Sequence, residues 1–116
     1  MKALHISLIL FAILAICIVV NVIFIHRTAD RLLELSSDVP TESSLAELEK
    51  FWESRKEFVG LSISEVHVDN VSRLIIAVRH AYESKNEFEL RKNLALLSDA
   101  AEGIKRYERL SLENIF

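Results

Sequence analysis

Breakers are nearly absent from this chain of 116 residues. Glycine occurs twice, at Gly60 and Gly103, and proline once, at Pro40. Backbone that wraps a phosphate closely draws on several glycines. A nucleotide-cradling loop is therefore excluded, and long helices are favoured. Cysteine occurs once, at Cys17, which rules out an intramolecular disulfide and any C-x-x-C motif, so cysteine usage assigns no redox compartment. An excess of positive charge is missing too. The formal net charge is −3, and −4 for residues 27–116 because Lys2 lies outside that span. Nucleic-acid binding needs a basic face, so no nucleic-acid partner is expected. G-x-S-x-G and H-E-x-x-H are absent as well. The chain is read as non-enzymatic, without catalytic residues, cofactor or metal.

What is present is one long apolar run. Residues 6–25 read ISLILFAILAICIVVNVIFI, opened by Ile6 and closed by Ile25, without a charge. Twenty helical residues span about 30 Å, the hydrocarbon thickness of a bilayer. Fifteen of the twenty are Leu, Ile, Val or Phe. They favour insertion by about 5–9 kcal/mol in sum. The run is longer than the apolar core of a cleaved signal peptide, and no A-x-A pattern follows it. A lipoprotein box needs a small residue before the cysteine, where this chain has Ile16. Residues 1–27 are accordingly read as an uncleaved transmembrane signal-anchor. Lys2 on one side and Arg27 and Arg31 on the other nearly balance. A very short N-terminal segment is the usual layout when the C-terminal part is exported, so the domain is expected outside the cytoplasm.

Residues 28–43 read as a juxtamembrane linker; its first part, residues 28–37, has good helix formers able to carry the membrane helix on through Leu32, Leu33 and Leu35, and the Ser/Asp cluster and Pro40 then break it. Residues 44–116 read as a helical domain. Ser44 and Glu47 form S-x-x-E before Leu45, Leu48, Phe51, Trp52, Phe58, Val59 and Leu61, a face at spacings of three and four. Residues 61–68 (LSISEVHV) alternate as a strand does, yet no partner strand exists, and an isolated strand is unstable. A break at residues 60–64 is expected there, then a helix opened by a second box, Ser62 and Glu65, with Val68, Val71, Leu74, Ile75, Val78 and Tyr82 on its apolar face. Asn86 and Glu89 cap a third helix carrying Leu90, Leu94, Leu97, Ala101, Ile104, Tyr107 and Leu110. The fold class is all-α: an N-terminal transmembrane helix followed by a small antiparallel three-helix bundle.

Three features bear on function. Trp52, Phe51 and Phe58 form an aromatic stripe that fills a core or lines a groove. Arg55 falls on the apolar side, placed to stack on Trp52 or to face an anionic partner. Ile115 and Phe116 close the chain as an apolar tail expected to pack on the bundle. Trp52, Arg55, Phe58, Ile115 and Phe116 are the candidate partner contacts, and a homo-oligomer through the same helices is expected. The lipid bilayer is the one partner read directly, through residues 6–25. His67 stands between Glu65 and Asp69. On a strand the three would share a face; on a helix, i and i+2 do not. The alternative function is thus an extracytoplasmic small-ligand or metal sensor built on these residues.

Together, the short anchor, the helix with Trp52 and Lys56, the helix with His67, Val71 and Leu74, and the Leu94/Leu97 helix ending Asn114-Ile115-Phe116 resemble a family of small single-pass membrane proteins of unknown function from Gram-positive, spore-forming bacteria. That resemblance covers nearly the whole chain. It implies the same layout, one anchor and one helical domain, and no known activity. The leading expectation is a membrane-anchored scaffolding or protein-interaction module at the cell envelope.

Overall fold

The computed structural model describes the backbone of residues 2–37 and 40–115, and the side chains of residues 2–36 and 40–107. Within them the chain is all-helical. The helices are α1 (Lys2–Ser37), α2 (Glu42–Gly60), α3 (Glu65–Glu83) and α4 (Glu87–Ile115).

Local chemistry sets the ends. Thr41 caps α2: its Oγ1 accepts from the Ser44 backbone N–H at 3.1 Å, and Ser44 Oγ accepts from the Thr41 N–H at 2.7 Å. This box lies three residues ahead of the expected Ser44/Glu47 pair. The earlier cap forms because Thr41 follows Pro40 in an extended conformation, which frees its hydroxyl to turn back on the helix. Likewise Ser64, not Ser62, caps α3, accepting from the Val66 N–H. Ser62 is used elsewhere, as described below. Asn86 caps α4 as expected, its Oδ1 accepting from the Glu89 N–H at 3.1 Å.

The α3–α4 turn closes with the Asn86 N–H donating to the Ala81 carbonyl and the Lys85 N–H to the Tyr82 carbonyl. That pair of bonds requires a left-handed residue between them, and Lys85 takes it at φ 56°. A side chain there costs about 1–2 kcal/mol relative to glycine. Lys85→Gly should therefore raise stability by about 1 kcal/mol, read as a higher melting midpoint with unchanged helicity.

Consecutive helices pack antiparallel, and α4 returns to α1. Lys105 pairs with Asp30 at 2.8 Å and Ser98 Oγ meets Ser36 Oγ at 3.1 Å, so α4 descends as α1 rises. Arg31 meets Glu47, and Phe24 meets Phe58, so α2 descends beside α1 on its other side. One core runs through all four helices. Ile25, Ala29 and Leu32 of α1 join Leu45, Leu48 and Trp52 of α2, Val71, Ile75 and Val78 of α3, and Leu97, Ala101 and Ile104 of α4. The three-helix expectation is thus short by one wall: the C-terminal half of α1 packs as a fourth helix. Residues 28–36, the first part of the stretch read as a linker, belong to that wall. Thr28 and Ser36 are buried there because each hydroxyl bonds back to its own helix, to the Phe24 and Leu33 carbonyls.

The N-terminal half of α1 projects beyond the other helices and makes the molecule elongated, 68 × 25 × 20 Å. The LSISEVHV segment is a four-residue connection, residues 61–64, leading into α3. Ile63 plugs the core from this connection.

Candidate functional site: a bare apolar helix and the base of the bundle

Among the described residues, nothing covers the first half of α1. Leu10 and Phe11 are 61% and 71% exposed, and Leu4, Ile6, Leu8, Ile9, Ile13, Leu14 and Ile16 are exposed as well. An apolar, charge-free helix of this length is a candidate membrane span by length and composition.

At residue 21 the surroundings change. Asn21 Oδ1 accepts a hydrogen bond from Ser62 Oγ at 2.7 Å. Phe24 and Phe58 meet with ring centroids 4.6 Å apart at 59°. Arg55 lies over both Phe24 and Phe51, its guanidinium carbon 5.7 Å and 5.4 Å from the ring centroids. The polar residue inside the apolar run is thus a latch to the α2–α3 connection. Pattern alone did not reveal this partner, because Ser62 is 41 residues away in sequence.

The expected contact residues divide. Trp52 is in the core at 3% exposure, and its Nε1–H donates to Ser72 Oγ at 2.8 Å. Its indole is fully engaged inside the bundle. Arg55 stacks as expected of a cation on an aromatic face, but on Phe24 and Phe51 rather than Trp52. Phe58 keeps 52% of its surface. Ile115 ends α4; its side chain and Phe116 lie outside the described residues.

His67 packs against Tyr107, ring centroids 5.0 Å apart, joining the start of α3 to α4. Glu65 and Asp69 lie on the same helix and are exposed, two positions to either side. Among the described residues, no group of three His, Cys, Asp or Glu side chains is placed to hold a metal.

Charge does its visible work between helices. Arg79 of α3 reaches across to α2, bonding Glu49 and, through Nη1, both carboxylate oxygens of Glu42 at 2.9 Å. The hydrogen bonds it donates to Glu49, then to Glu42, raise the pKa of the guanidinium further above its ordinary value. On the opposite side of α2, Arg31 of α1 holds Glu47. Two arginines on two neighbouring helices thus hold α2 from two sides.

Compared with known proteins, the chain matches no family model, no curated protein and no solved structure. The class its fold defines is an all-helical protein with a shared core and one long apolar N-terminal helix that is a candidate membrane span.

Proposed function

We propose that this chain is a single-pass membrane protein whose bundle stands on the outer face of the membrane and acts by protein–protein contact, without catalysis of its own. The layout is that of the spore-former membrane family it resembles. The observation that carries the reading is the bare half of α1. A helix with Leu10 and Phe11 more than half exposed is unfavourable in water and favourable in hydrocarbon. Four helices sharing one filled core support the second part, since a small closed bundle offers its outer faces, not an interior, to a partner. Self-association belongs to the same reading.

Alkaline carbonate extraction tests the anchor. The full chain should stay with the membrane pellet, while a chain starting at Asn21 should move to the supernatant. Release of the full chain would overturn the reading. Protease added to intact wall-less cells tests the side. Loss of the bundle with retention of an α1 fragment fits an outer domain; full protection would move it to the cytoplasm.

A further inference from the structure

The last turn of the apolar run is committed twice. It belongs to the stretch that is hydrophobic enough to span, and it is also bonded to the bundle through Asn21 and Phe24. Residues 3–20 are left to cross the hydrocarbon. At 18 residues and about 27 Å they sit close to the lower limit for a span. No spacer separates bilayer from bundle, so the base of the bundle must rest in the interface.

The side chains at that base suit such a place. Leu61 is 82% exposed and Val66 69%, and with Phe58 they surround the α2–α3 connection. Val20 and Ile23, beside the Asn21 and Phe24 that hold this end of α2 to α1, are exposed as well. The connection is not loosely hung, because Ile63 between them is 4% exposed and Ser62 is bonded to Asn21. It is a fixed apolar tip, held beside the emerging span. Arg27 follows one turn later on α1 and Arg55 stacks on Phe24, the height at which cations meet headgroups. Exposed Glu57 and Glu65 at the same end offset these charges, so the contact is apolar rather than a response to anionic lipid.

We infer that the α2–α3 connection is a second membrane contact, in which Phe58, Leu61 and Val66 insert into the leaflet from which α1 emerges and fix the bundle against the bilayer. The inference rests on α1 being the membrane span.

The test uses the full chain with Cys17→Ser, reconstituted in neutral phosphatidylcholine vesicles. Leu61→Cys carries an environment-sensitive nitrobenzoxadiazole label. Leu14→Cys reports the span, and Phe88→Cys, 75% exposed in the first turn of α4 at the opposite end, reports the far side of the bundle. Nitroxide-bearing lipids should quench the label at 61 several times more strongly than at 88, with a blue-shifted emission at 61. A label quenched at 14 but behaving at 61 as it does at 88 would overturn the second contact and leave the anchor standing. A label unquenched at 14 would remove the span, and the inference with it.

Discussion

A chain that starts at Pro40 unfolds without a cooperative transition, whereas one that starts at Val20 melts sharply. This is the largest effect expected from any change to the molecule. Residues 40–116 contain all three helices that the sequence assigns to the domain. They lack Ile25, Ala29 and Leu32, each at 0% exposure in the shared core. Full burial of Ile25 and Leu32 alone contributes about 3–6 kcal/mol. A domain of this size has a total stability of about 5–14 kcal/mol. Removing the wall also uncovers the apolar stripe of α4 and breaks the Asp30–Lys105 and Arg31–Glu47 pairs. Circular dichroism against temperature reads the outcome. A sharp transition of equal midpoint in the shorter chain would show that α1 ends, in energetic terms, at the membrane.

Trp52→Ala is expected to cost about 3–5 kcal/mol, the usual range for emptying a buried aromatic site. At about 4–8 °C per kcal/mol for a domain of this length, the midpoint of the chain starting at Val20 should fall by at least about 12 °C. Trp52→Phe should cost far less, about 1 kcal/mol for the lost Nε1–Ser72 hydrogen bond together with a modest packing loss. A partner-contact tryptophan behaves the other way round: its removal leaves the melting midpoint in place and weakens association. Measuring both quantities on the same variant separates the two roles, and an unchanged midpoint would take Trp52 out of the core.

Several elements were legible because their causes are local. The caps at Asn86 and the faces of α3 and α4 follow from spacings of three and four, and Val71, Ile75, Val78, Leu97, Ala101 and Ile104 are buried as those spacings require. The strand-like alternation of residues 61–68 gave way to a connection and the first turn of α3 for the reason visible in the chain, the lack of a partner strand. Other elements needed neighbours. Phe58 and Leu61 belong by spacing to the apolar face of α2, yet both are exposed, because the core closes at Val59 and Ile63. Ile25, Ala29, Leu32 and Ser36 stand at spacings of four, three and four. That signal of a packing face was present, but it was overshadowed by the stronger signal of a span just before it.

The sequence by itself determined that this protein is helical and that it carries one segment apolar enough to cross a bilayer. Both follow from quantities summed along a stretch: few breakers, periodic apolar residues and an unbroken run of hydrocarbon side chains. Only the tertiary structure decided how many helices share the core, that Trp52 turns inward while Leu61 turns outward, and that Asn21 latches onto Ser62. A helical period tells which face of a helix is apolar. How many neighbours that face meets depends on residues tens of positions away, whose approach no local pattern records.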